Sequence, residues 1–175
     1  MLPPEFIHEL PHDFALALRT TIHNHHKAYQ ILDIFHHPGI CLTLHKTAHN
    51  LRRYLHNSGI NTQKLHMIDP LARVIGSVLE AENTTYIAYN MQQMIDTTER
   101  LLQKLPLKQR FMMIDGIHVL PYVYKEEKIN SFFKTLNNKL KLHHAKGIFI
   151  YDREKLHLPI RNHLHKLVDK VIEME

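Results

Sequence analysis

Apolar positions in this chain follow two alternating rhythms. Unbroken apolar runs of strand length occur at DFALALR (13–19), ICLTLH (40–45), LHMID (65–69), RFMMIDGIHVL (110–120) and GIFIYD (147–152). Between them the apolar residues recur at three- and four-residue spacing, which is one stripe of a helix. Ala28, Ile31, Leu32 and Phe35 make the first stripe, after the polar break TTIHNHH (20–26), and His36, His37, Pro38 and Gly39 close it. Thr47 is the expected N-cap of a second helix carrying Ala48, Leu51 and Leu55 and ending at Ser58 and Gly59. Met91, Met94, Ile95, Thr98, Leu102 and Leu105 form a third stripe, which Pro106 stops. Ile129, Phe132, Phe133, Leu136 and Leu140 form a fourth. Pro159 suits the first turn of a last helix with Ile160, Leu164 and Leu167, and LVDKVIEM closes the chain as a strand. The stretch from Pro70 to Asn83 gives no firm element; its VIGSVL is apolar enough to expect partial burial, and YIAY (86–89) fits a short strand or the approach to the next helix.

Strands alternating with helices over short connections predict an α/β fold, a three-layer α/β/α sandwich around a mostly parallel central sheet. A chain of 175 residues is expected to form a single domain, 1–175. Ligands of such sheets sit beyond the carboxyl ends of the strands, so the loops there are where chemistry is sought. Hydrophobic content of 44% with 22% charged residues fits a water-soluble protein, and no apolar run reaches the roughly 20 residues of a membrane span. The start, MLPPEFIHELPHDF, has neither the basic lead nor the apolar core of a signal peptide, so a cytoplasmic location is expected. The lone Cys41, inside an apolar run, reads as a small core residue. A formal charge of +5 is a mild basic excess, whereas 17 histidines are the compositional outlier.

A phosphate-cradling loop of the form G-x-x-x-x-G-K-[ST] needs two glycines five apart, because bare backbone amides must wrap the phosphates. The five glycines, Gly39, Gly59, Gly76, Gly116 and Gly147, contain no such pair. His45, Lys46 and Thr47 imitate its last two residues without a preceding glycine. The loop after the first strand is TTIHNHH instead. FMMID places Asp115 at the end of a buried-type strand, the position of a magnesium-holding Walker B acid.

With these features, GICLTLHKTAHNLRRYLHNSGINTQKLHMID, RFMMIDGIHVLPYVYKEEKINSFFKTLNNKLKLHHAKGIFIYD and LVDKVIEME resemble, in order and spacing, the RecA/KaiC-like group of P-loop ATPase folds. The likeness is nearest to archaeal KaiC-like domains without the phosphate loop. It implies a RecA/KaiC-like sheet; active members of that group bind and hydrolyse ATP and assemble into rings. The departure in the first loop implies a non-catalytic scaffold or regulatory domain, acting through a protein partner or a second copy of itself. The alternative is a nucleotide- or metal-binding domain, even an enzyme, that uses loop 20–26 and Asp115 in another way. Its nucleotide contacts would be Thr20, Thr21 and Asp115, and its divalent metal would sit on His23, His25 and His26.

Other constellations weigh less. One cysteine allows no Cys-His zinc framework, and there is no H-E-x-x-H. The pairs His36/His37 and His143/His144 end helices, where a cation suits the dipole. Ser58, Ser77 and Ser131 lie in no nucleophile elbow. Asp69 and Asp115 could meet at neighbouring strand ends, although strand-end aspartates more often serve turns and caps. Lys46, Arg52, Arg53 and Tyr54 form a basic helix face without stacking aromatics, read as solvated, so nucleic acid is not an expected partner.

Overall fold

The computed structural model describes residues 13–174 except 22, 36–37, 80 and 108–109. The N-terminal lead and the expected helix stop at His36 and His37 lie outside the described residues. Strands β1 (Ala15–Thr20), β2 (Gly39–Thr43), β3 (Leu65–Asp69), β4 (Thr84–Tyr86), β5 (Phe111–Asp115), β6 (Lys146–Asp152) and β7 (Lys170–Glu173) form one sheet in the order β4-β3-β2-β5-β6-β1-β7. Every adjacent pair among these strands is parallel.

Parallel strands buried on both faces need apolar residues at every position, and the period of two then divides them between two cores. Met112 and Ile114 of β5 enter one core, Phe111 and Met113 the other; in β1, Ala15 and Ala17 oppose Leu16 and Leu18 in the same way. The first core is covered by α4 (Met91–Lys104), α5 (Glu126–Leu142) and α6 (Leu158–Leu167), through Met94, Leu102, Phe133, Leu136 and Leu164. The second is covered by α1 (His25–Ala28), its 3-10 continuation Tyr29–Asp33, and α2 (Ala48–Asn57). A further single-turn helix, α3 (Leu71–Val74), follows β3. Cys41 is buried between the layers. No helix among the described residues is long and apolar enough to cross a membrane.

Several expectations shift in detail. The Thr47 hydroxyl does cap α2, accepting from Asn50 N–H at 3.3 Å. The first helix is shorter and tighter than its stripe suggested. The apolar run 110–120 is a strand only to Asp115, because Gly116 at φ +86° turns the backbone into a 3-10 helix, Ile117–Tyr122. The strand after β3 is Thr84–Tyr86, not 86–89. VIGSVL is not partly buried: Val74 is 64% and Ile75 56% exposed, since none of the described residues packs over this turn. Arg52 is not simply solvated, as its guanidinium donates to the carbonyls of Thr62, Leu65 and Asn83 at 2.9–3.0 Å and ties the β3 entry to α2. Asp69 and Asp115 do not share adjacent strands, because β2 runs between theirs.

The placement of β5 and β6 between β2 and β1 positions the site. Thr43 pairs with Asp115, Asp115 with Ile150, and Thr20 with Asp152, so the carboxyl ends of four strands reach the same level. The loops after β1, β2 and β5 therefore open onto one edge.

Candidate functional site

Asp115, at the last position of β5, is fully buried, and both carboxylate oxygens are engaged. Tyr29, on the 3-10 turn after α1, donates its hydroxyl to Oδ2 at 2.8 Å. His25, the first residue of α1, places Nε2 2.8 Å from Oδ1. His45, just past β2, brings Nδ1 to 3.2 Å from Oδ2. At that short distance Nδ1 is still not aligned for a hydrogen bond, and it is a buried nitrogen without one. Room for the His45 ring comes from Gly116, where a Cβ would lie 2.3 Å from Nδ1.

The Thr20 hydroxyl donates to the Tyr151 carbonyl at 3.0 Å and stands 2.9 Å from His25 Nδ1, so both ring nitrogens of His25 have a polar partner.

Electrostatics follow from the burial. Desolvation opposes the Asp115 carboxylate, yet the hydrogen bond from His25 and the charges of His45, His25 and Lys46 outweigh it and hold its pKa below the ordinary value. Burial pushes His45 down to about 4, although the carboxylate pulls the other way. His118, on the 3-10 turn after β5, is likewise lowered by burial to about 4 and accepts the Asp152 N–H at 3.3 Å. Burial also lowers Lys46, whose ammonium reaches His45 Nε2. The rings of His25, His45 and His118 stand edge to face or tilted, 5.4–6.1 Å between centroids.

A cavity of about 390 Å³ lies against this cluster, with His23, His26, Lys46, Tyr54, His118 and Lys155 among its walls. Of the residues singled out in the sequence, Thr20, His25 and Asp115 meet in one hydrogen-bonded chain. His23 and His26 line the cavity and are not part of the cluster whose ligand atoms lie within 4.8 Å of one another, which is His25, His45 and Asp115. Thr21 contributes its carbonyl to the turn, accepting from Asn24 N–H at 3.1 Å. Sequence reasoning missed Tyr29, His45 and His118. The signal for the two histidines was their place two and three residues beyond the ends of β2 and β5, on the same edge as Asp115.

His45 also borders a second feature. An apolar groove of about 380 Å³ runs beside it, walled by Leu71, Val74, Val119, Tyr122 and Val123. Tyr122 is 76% exposed, and Ile75, Val78 and Leu79, which follow Val74 in the chain, are exposed as well.

The family model described as "ATPase: KaiC" matches residues 20–175. No curated protein matches. Among solved structures, a KaiC-like protein from the hyperthermophilic archaeon Pyrococcus horikoshii OT3 aligns with a TM-score of 0.66 at 17% identity, over 94% of this chain and 72% of that one. A second Pyrococcus horikoshii OT3 protein, described only as a structural study, gives 0.69 at 12% identity, over 98% and 86%. At these identities the likeness speaks to the fold, a RecA/KaiC-like α/β sandwich.

Proposed function

The chain belongs to the KaiC ATPase family, and from that premise we propose that this member is a non-catalytic domain that works through protein association rather than ATP hydrolysis. The observation that carries the reading is the state of Asp115. In an ATPase of this fold the strand-end acid serves a hydrated magnesium ion beside the nucleotide phosphates. Here the acid is fully buried and held by His25, Tyr29 and His45. Magnesium demands oxygen ligands in near-octahedral array and retains several waters, so it would have to displace two imidazoles and a phenol to reach this carboxylate. The loop after β1 offers no glycine whose bare amides could wrap a phosphate, and the His25 ring occupies that edge. The residues do not fit a magnesium triphosphate.

The exposed groove supports the association half of the proposal. Its occupant in this reading is a second copy of the chain, whose exposed Ile75, Val78 and Leu79, following Val74 of the groove wall in sequence, are apolar side chains that could fill the groove.

The test joins two measurements on the full chain. Thermal melts with ATP and magnesium should show no shift, whereas a ligand at a hundred times its dissociation constant would add about 2.7 kcal/mol. Light scattering over a concentration series should show self-association that Tyr122→Asp and Val123→Asp abolish. A magnesium-dependent ATP shift would overturn the non-catalytic half, and a strict monomer at every concentration the association half.

A further inference from the structure

We propose that His25, His45 and Asp115 form a binding site for a transition-metal dication of the zinc class. The proposal goes beyond the reading above, since it concerns what the same acid holds instead of magnesium. Three ligand atoms from three separate elements lie within 4.8 Å of one another. The two imidazole nitrogens approach the carboxylate at 2.8 and 3.2 Å, and the second of them, His45 Nδ1, is buried and makes no hydrogen bond. Two imidazoles and one carboxylate are a zinc-type donor set, whereas magnesium and calcium prefer oxygen alone.

The surroundings resemble the outer support that such sites use. Histidine ligands commonly fix their orientation through the other ring nitrogen, and ligating carboxylates are themselves hydrogen-bonded. His25 has this arrangement through Thr20, and Asp115 through Tyr29. His45 owes its position to the missing Cβ of Gly116. Three protein ligands leave a tetrahedral ion one further position, and the 390 Å³ cavity against the cluster gives a small ligand access to it.

The experiment uses the full chain stripped with EDTA and dialysed, then titrated with zinc chloride in a calorimeter and with cobalt(II) chloride in a spectrophotometer. Exposed histidines elsewhere will bind metal weakly, so the expected result is one tight class of one ion per chain. Cobalt should give the intense visible ligand-field band of a low-coordinate site at one equivalent. The His25→Ala/His45→Ala double variant should lose the tight class, with affinity down on the order of 100-fold or more, beyond what loss of an outer-shell partner costs. The His23→Ala/His26→Ala double variant, altered only in the cavity wall, should keep it. Absence of both a tight class and a cobalt band in the unaltered chain overturns the proposal whatever the variants do. So does retention of the tight class in the His25/His45 variant, or its loss in the His23/His26 variant alone. No nucleotide is present in these titrations, so their failure is separate from the outcome of the ATP melts.

Discussion

Replacing Asp69 by alanine should cost this protein about 4 kcal/mol of stability, through its hydrogen bonds rather than through apolar packing. The carboxylate is fully buried at the end of β3 and accepts three backbone N–H groups, from Ala48 at 2.6 Å, Leu71 at 2.9 Å and Ala72 at 2.8 Å. The first donor opens α2 and the other two open α3, so one acid ties two helix starts to the sheet. Alanine leaves all three donors without an acceptor. The bonds to Ala48 and Ala72 are buried, and each buried donor left unpaired costs roughly 1–3 kcal/mol, which gives about 4 kcal/mol for the pair before any cavity is counted. At ~2–4 °C per kcal/mol for a chain of this size, Tm should fall by roughly 8–16 °C. Asn should cost about half as much, because its carbonyl can still serve one helix start while its amide opposes the other. Urea unfolding followed by far-ultraviolet circular dichroism measures both. Asp96→Ala is the control: that residue is exposed and its carboxylate accepts from Gln92, so its loss should stay within about 0.5 kcal/mol. A loss below about 1.5 kcal/mol for Asp69→Ala would refute the idea that this acid anchors the helix starts.

Three further outcomes are expected. Gly116→Ala puts a Cβ 2.3 Å from His45 Nδ1 at φ +86°, so it should cost about 1 kcal/mol in backbone strain and weaken zinc binding without removing a ligand; unchanged zinc affinity would count against His45 as a ligand. Phe133→Ala, buried in the core beside Phe149, should cost ~3–5 kcal/mol in the same urea assay. His66 and His165 have pKa values lowered by burial, with nearby arginines adding to it. Their folded pKa lies below the unfolded one, so the unfolded chain takes up protons first as pH falls. Their effect is absent well above about 6.5 and grows as destabilisation below it. Tm measured from about pH 7.5 down to 5.5 should decline, and less steeply in a His66→Gln variant, which replaces the imidazole now bonded to Thr85 by a side chain that does not titrate.

The alternation of strand and helix, the Thr47 cap and the strand-end position of Asp115 are all local properties, and all were legible in the chain. A run of apolar residues bounded by polar turns becomes a buried strand wherever it sits in the sheet, because its own pleat presents side chains to both faces. The likeness to KaiC-like domains was legible for the same reason, since it rests on the order of such runs. Burial of VIGSVL was misjudged because apolar composition does not say whether another layer will cover a segment.

Tertiary structure alone decided which loops meet. Thr20 and Asp115 were named for a nucleotide and His25 for a metal, but only the insertion of β5 and β6 between β2 and β1 closes the 90 residues between His25 and Asp115 to 2.8 Å. His45 was set aside with a counterfeit phosphate loop, and it turned out to face the same acid. Strand order arises from pairing between backbone groups far apart in sequence, and those groups are chemically alike in every strand. Periodicity therefore fixes what each segment is, while the packing of all segments together fixes what it faces.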